Sequence, residues 1–299
     1  MDDATRREID KVCWRTLKEA GITEPPSNTK LILEHLELYR EFYDLQDPGL
    51  VDRAKHTMLV NGRKLIHVIK KIRLKAVLFQ DEGRIVVDAS LPKGKQEWPS
   101  LHEAGHRILE WHRPYFFGDT AQTLDPDWQQ ILEEEANYAA SALMFCGPVF
   151  ATEAKDTKPG WASIEELKKR YKKSYSTTLR RYVQFGPDCP MAMLVSTPQW
   201  MEKPADQENR CRHFVPSPVF ARRFSQVTAS QLIRQVDLSI RRRRGGPVGD
   251  FSVVLTDDRG EGHEFRGESF FAQHYIETLF SHVRSLAAKG RIFVPSRSV

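Results

Sequence analysis

The five residues His102-Glu103-Ala104-Gly105-His106 constrain this 299-residue chain more than any other feature. Their neighbours Leu101, Ala104, Ile108 and Trp111 recur at spacings of three and four, so the segment reads as an amphipathic helix beginning near Leu101. Residues four apart lie about 40° apart around a helix. Both imidazoles therefore project from one face and can share a zinc ion, while Glu103 sits beside them within reach of a zinc-activated water. That arrangement states a reaction: Glu103 takes the proton of the water, which then attacks a polarised peptide carbonyl. Gly105 costs about 1 kcal/mol relative to Ala in a helix, so a neighbouring backbone or a metal is expected to approach closely there.

A catalytic zinc site needs a third protein ligand. His112 is one option, because HEAGHRILEWH repeats the spacing of histidines in metzincins. On a continuous helix, however, His112 lies about 280° around from His102, and Leu109 stands where that pattern turns at a glycine. The other option is the acidic run Glu133-Glu134-Glu135, which opens a second apolar-periodic helix from about Asp127 to Phe145. Three acids early in a helix also complement the macrodipole without any metal.

Around these two helices the chain reads as α+β. Apolar spacing predicts helices over residues 3–20 and from Asn28 to Phe42. A β-hairpin follows, with Lys64–Phe79 as its first arm, Asp81-Glu82-Gly83 as the turn and Arg84–Asp88 as the second; Pro92 and Gly94 end it. The polar stretch 151–161 is the best linker in the first two thirds of the chain, which suggests a boundary near 155. Four cysteines, Cys13, Cys146, Cys189 and Cys211, are too scattered for a disulfide framework, and none has the CxxC spacing of a metal knuckle. They read as reduced thiols. With no apolar leader at the N-terminus and no membrane-length apolar run, a soluble cytoplasmic protein is expected.

The runs RIVVDASLP, HEAGH and EEEANYAASALMF, spanning residues 84–145, together resemble the ImmA/IrrE family of gluzincin-type metallopeptidases. The resemblance implies a zincin-like domain of helices plus a small sheet, with zinc, or manganese as the working metal, held by His102, His106 and Glu133, and with Glu103 as general base. Glu135 matches the second acid of the family pattern. Tyr138 and Ala139 depart from it where the family has a variable residue and Phe. Substrate is expected as an added strand along Arg84–Asp88, which is read as a sheet edge. Tyr138, His112 and Tyr115 are candidates for stabilising the oxyanion.

Net charge divides unevenly. Residues 1–150 carry 20 basic and 24 acidic side chains, whereas residues 151–299 carry 25 and 16. Much of that basic excess lies in 163–185, which reads as two short helices around a tight turn, with Ser163 and Glu166 forming a capping box. This resembles a helix-turn-helix, although Lys172 and Lys173 occupy the usual turn positions. DNA contact, packing on the peptidase domain and recognition of the substrate all remain open for it. Beyond it, strands are expected at Met191–Thr197 and Phe251–Thr256, helices at Ser230–Ile240 and Ser269–Ala288, an exposed basic loop at Arg241–Arg244 and a last apolar run at Ile292–Val294.

The order of parts is similar to the three-domain radiation-response regulators of the same family: a zinc metallopeptidase domain (1–155), a helix-turn-helix-like segment (156–188) and a mixed α/β, GAF-like regulatory domain (189–299). That resemblance implies an endopeptidase whose protein substrate is a helix-turn-helix transcriptional repressor, cleaved to induce a DNA-damage type or mobile-element response. A DNA-binding regulator with a vestigial peptidase site is the alternative. A housekeeping peptidase would leave the second half without a role.

Overall fold

The computed structural model describes residues 1–43, 76–79, 83–92, 95–113, 126–201, 209–240, 245–272 and 274–286. The first arm of the hairpin before Ala76, the turn residues Asp81 and Glu82, Gly94, Tyr115, the Arg241–Arg244 loop and the Ile292–Val294 run lie outside them. The chain divides into two compact units, Met1–Phe150 and Ala151–Val299, and its architecture is mixed α+β.

The first unit opens with α1 (Asp3–Glu19), whose first turn is capped by Asp2 accepting from the Thr5 amide at 2.8 Å. Its stripe Ile9, Val12, Cys13, Thr16 and Leu17 is buried. The helix expected over Asn28–Phe42 instead stops early. α2 covers only Thr29–His35; Glu37 takes a left-handed φ of 55°, and the Leu38 amide reaches back to the Leu33 carbonyl at 2.8 Å. That closing turn satisfies the last carbonyls of the helix and releases Tyr39–Tyr43 as strand β1. With β2 (Ala76–Phe79) and β3 (Arg84–Asp88) it makes a three-stranded sheet of order β1-β3-β2, with β1 parallel and β2 antiparallel to β3. Arg84–Asp88 is thus the central strand, which rules it out as the docking edge.

Helix α3 (Glu97–Ile108) begins two residues before Pro99, which fits in the first turn where its missing amide is harmless. It ends at Leu109, whose ψ of 97° is extended, and a 3-10 turn, Glu110–His112, follows. α3 packs against β2 and β3 and against α4 (Pro126–Met144). The helices meet closely at Gly105, where a Cβ would lie 3.0 Å from the Ala136 carbonyl oxygen and 3.2 Å from the Ala139 Cβ. The close neighbour is backbone. On its other side α4 meets α1, with Tyr138 Oη donating to Asp10 at 3.0 Å and the Cys13 thiol near the Ala139 carbonyl. α5 (Pro148–Lys155) runs through the start of the expected linker.

In the second unit, α6 (Trp161–Tyr171) and α7 (Tyr175–Phe185) form the helix pair. No capping box forms at Ser163, because α6 already starts at Trp161 and the Ser163 hydroxyl donates to the Lys158 carbonyl at 2.7 Å. Lys172 turns the chain in a left-handed conformation, and Ser174 caps α7 by accepting from the Thr177 amide. Strands β4 (Met191–Ser196) and β5 (Cys211–Pro216), helices α8 (Pro218–Arg223) and α9 (Ala229–Ser239), and strands β6 (Gly246–Thr256), β7 (Gly262–Ala272) and β8 (Tyr275–Ser285) complete it. The helix expected at Ser269–Ala288 is replaced by the end of β7 and all of β8.

All five strands pair antiparallel in the order β5-β4-β8-β7-β6. One face packs on α8 and α9 through Phe220, Phe224, Leu232, Val236, Phe265 and Phe280. The opposite face carries α6 and α7: the Trp161 amide donates to Glu268 at 3.1 Å, the Trp161 ring stacks on Phe270 at 5.5 Å, and Ser176 donates to Glu277.

Candidate metal centre

α3 presents His102 and His106 one turn apart, and α4 brings Glu133 to them. The two Nε2 atoms are 3.3 Å apart; Glu133 Oε2 lies 3.2 Å from His102 Nε2, and Oε1 lies 3.5 Å from His106 Nε2. A tetrahedral zinc bound at about 2.0–2.1 Å separates its nitrogen and oxygen ligands by about 3.3 Å. The three groups therefore fit one metal ion, and they form one of two His and acidic clusters with suitable spacing among the described residues. Glu134, by contrast, is exposed and accepts from Gln130 along its own helix. Glu135, about 200° around α4 from Glu133, points elsewhere.

Electrostatics favour a cation at this point. Hydrogen bonds with His102 and His106 hold the Glu133 carboxyl far below the usual range, so it is ionised at neutral pH. Burial works against protonation of His102, but its bond to Glu133 and the nearby charge of Glu103 outweigh that and raise its proton affinity. For His106 burial prevails and favours the neutral ring, the form that can ligate. Glu103 is half-buried beside His102.

Behind the cluster lie groups that sequence reasoning passed over or placed differently. Asn137 Oδ1 lies 3.2 Å from His102 Nδ1, so a proton on that nitrogen leaves Nε2 free to face the cluster. His112 is fully buried, with Nδ1 2.9 Å from His106 Nδ1 and Nε2 3.0 Å from Glu135 Oε2. The indole of Trp111 donates to the same Glu135 oxygen at 2.7 Å. Burial opposes ionisation of Glu135, but these two donors outweigh it and lower its pKa. Both nitrogens of His112 are thus engaged away from the cluster, and the Tyr138 hydroxyl is turned to Asp10. Neither serves as an oxyanion donor in this arrangement. Trp111 and Asn137 had no signal of their own, since one reads as an apolar helix residue and the other as a polar filler between alanines.

The second cluster, Asp257, Glu261 and His263, sits at the β6–β7 turn. Asp257 Oδ1 accepts from the amides of Arg259 and Glu261 at 3.0 and 2.9 Å, which builds the turn. Its Oδ2 lies 3.1 Å from His263 Nε2, and the Arg223 guanidinium stands 3.5 Å from that oxygen and 3.4 Å from that nitrogen. The Arg223 guanidinium thus already brings a positive charge against both Asp257 and His263, which disfavours a second cation there.

Residues 64–182 match the family model described as IrrE N-terminal-like domain. No curated protein matches the chain. Among solved structures, a Mycobacterium tuberculosis transcriptional regulator is similar in fold, with a TM-score of 0.51 at 12% identity, over 92% of this chain and 76% of that one. Residues 64–182 thus resemble an IrrE N-terminal domain, and the fold is similar to that of the mycobacterial protein. No described helix is long and apolar enough to cross a membrane.

Proposed function

We propose that the chain is a zinc-dependent endopeptidase that cleaves a regulatory protein, of the transcriptional-repressor class, and thereby switches on a stress or mobile-element response. The observation that carries this reading is the convergence of His102, His106 and Glu133 at metal-ligand spacing, with Glu103 on the same helix. Zinc bound there would supply a Lewis acid that polarises the scissile carbonyl and acidifies water. The chain's own residues do the rest. Glu103, following His102 directly, accepts the proton of the attacking water and returns it to the leaving amine. His102 is oriented by Asn137, and Glu133 would offset one of the two positive charges of a bound zinc ion. An extended peptide is best received along β2, which among the described residues is the edge strand that α3 packs against. The match of residues 64–182 to an IrrE N-terminal-like domain supports this reading. The β5-β4-β8-β7-β6 order, second, first, fifth, fourth and third along the chain, supports a GAF-like regulatory domain behind the helix pair.

The competing reading, a DNA-binding regulator with a vestigial site, draws on the likeness to a transcriptional regulator. It is weakened by α7, the helix that would enter a groove. Thr178, Leu179, Arg181, Tyr182 and Val183 are buried there, and only Arg180 and Gln184 are exposed. Glu103→Gln separates the two. It should keep the fold and the metal, measured by circular dichroism and metal analysis, while fragments of a co-expressed repressor disappear from the mass spectrum. Undiminished cleavage by Glu103→Gln would remove Glu103 as base.

A further inference from the structure

We propose that His112 and Glu135 are positioning residues that act through a hydrogen-bonded relay on His106, fixing its proton on Nδ1 so that Nε2 faces the metal as a lone pair. The inference rests on the metallopeptidase reading for the presence of the metal, and on geometry for everything else.

The relay begins at a group whose role is unambiguous. A carboxylate can only accept, so the 3.0 Å contact between Glu135 Oε2 and His112 Nε2 requires the hydrogen to be on His112. A neutral imidazole with its hydrogen on Nε2 has only a lone pair on Nδ1. That nitrogen stands 2.9 Å from His106 Nδ1, and two lone pairs at this distance would repel. With His112 as the neutral ring, His106 Nδ1 carries the hydrogen, and its Nε2 is left as an acceptor. This Nε2 is the atom 3.3 Å from His102 Nε2 and 3.5 Å from Glu133 Oε1. One carboxylate thus sets the orientation of two rings and of one metal-facing lone pair.

Three features make the relay rigid. His112 is 0%, His106 4% and Glu135 7% exposed, so water does not compete for these bonds. The Trp111 indole, donating to the same oxygen of Glu135 at 2.7 Å, holds the carboxylate in register. The chain itself delivers His112: α3 breaks at Leu109, the His112 amide bonds to the Leu109 carbonyl at 2.9 Å, and the 3-10 turn folds the imidazole back behind His106. A helix continued through Leu109 would have carried it away. The two histidines are therefore held by unlike partners, His102 by the Asn137 amide and His106 by an imidazole-carboxylate pair. Outer partners of this kind commonly tune metal affinity by about ten- to a hundredfold.

The test compares the full chain with His112→Phe, which fills similar space without an acceptor, and His112→Asn, which keeps an acceptor oxygen near the position of Nδ1. Zinc affinity is read by chelator competition and the ligand field by visible absorption of the cobalt-loaded protein. His112→Phe should bind zinc about ten- to a hundredfold more weakly with altered cobalt bands, and His112→Asn should recover most of both. Long-range proton-nitrogen spectra of the unsubstituted metal-free protein give the tautomers directly, and need no variant to fold. His112 with hydrogen on Nε2 and His106 with hydrogen on Nδ1 are expected; the opposite pair would overturn the relay. Unchanged zinc affinity and cobalt bands in His112→Phe would overturn it too, while leaving the metal reading intact. If the unsubstituted chain takes up neither zinc nor cobalt, it is the metal reading that falls, and the relay's purpose with it.

Discussion

Gly105 is a residue at which two physical effects oppose each other. Intrinsic propensity alone says that Gly105→Ala should stabilise α3 by about 1 kcal/mol. The added Cβ, however, would stand 3.0 Å from the Ala136 carbonyl oxygen and 3.2 Å from the Ala139 Cβ. Both belong to the buried face of α4, which cannot swing aside as a flexible side chain would, and overpacking of this sort costs about 1–3 kcal/mol. The clash should win. We expect Gly105→Ala to lower the denaturant midpoint and, because it pushes apart the two helices that carry His106 and Glu133, to weaken zinc binding as well. A variant that is more stable with unaltered zinc affinity would refute this account. The need for a close neighbour was legible in the sequence, since a glycine between two histidines of a helix demands a reason. So was the pairing of His102 with His106, which follows from helical spacing alone. His112 was not, because the rotation argument assumed an unbroken helix, and the break falls at a leucine with no glycine or proline to announce it.

At the scale of elements, the same ambiguity of short apolar runs explains most departures. Residues 269–286 place Phe270, Phe271, Ile276, Leu279, Phe280 and Val283 at spacings that suit a helix, yet they form the end of β7 and all of β8. The deciding signal is the stricter alternation just upstream. His263, Phe265, Ser269 and Phe271 turn inward, while Glu264, Arg266, Glu268 and Phe270 lie on the other face. The helix pair α6 and α7 was read correctly as two helices, but the basic excess that suggested a nucleic acid is partly used internally, with Arg170 paired to Glu153 and Lys169 to Glu165. What covers the sheet beneath α7 has a measurable cost. Glu277 is 3% exposed, accepts from Ser176 with one oxygen and has no partner on the other. Burial raises its pKa, with Ser176 opposing only in part. The folded state therefore holds this proton more tightly than the unfolded chain, and stability contributed here falls as pH rises through and above the ordinary carboxyl range. Glu277→Gln carries no charge, so at pH 7 it should be more stable than the unsubstituted protein by about 1 kcal/mol. The gap should close near pH 4. Equal melting curves at both values would mean that the buried carboxylate is satisfied in a way the structure does not contain.

For the whole molecule, the two units differ in charge: Met1–Phe150 carries 20 basic and 24 acidic side chains, and Ala151–Val299 carries 25 and 16. The first, slightly acidic unit holds His102, His106 and Glu133, so any metal should stabilise that unit rather than the chain at large. The ligands come from two helices, α3 and α4, joined through residues 114–125, so an ion bound by both binds only the folded form. Such binding adds about 2.7 kcal/mol at a free metal concentration one hundred times the dissociation constant. Tryptophan fluorescence reports mainly on this unit, since Trp14, Trp98, Trp111 and Trp128 lie in it and only Trp161 and Trp200 lie in the other. Zinc should raise the fluorescence melting midpoint, and a chelator should reverse the rise. His102→Ala should melt at one temperature with or without zinc, because Glu133 and His106 alone leave the ion two of its three protein ligands. A zinc-dependent midpoint that survives His102→Ala would place the stabilising ion somewhere other than between α3 and α4.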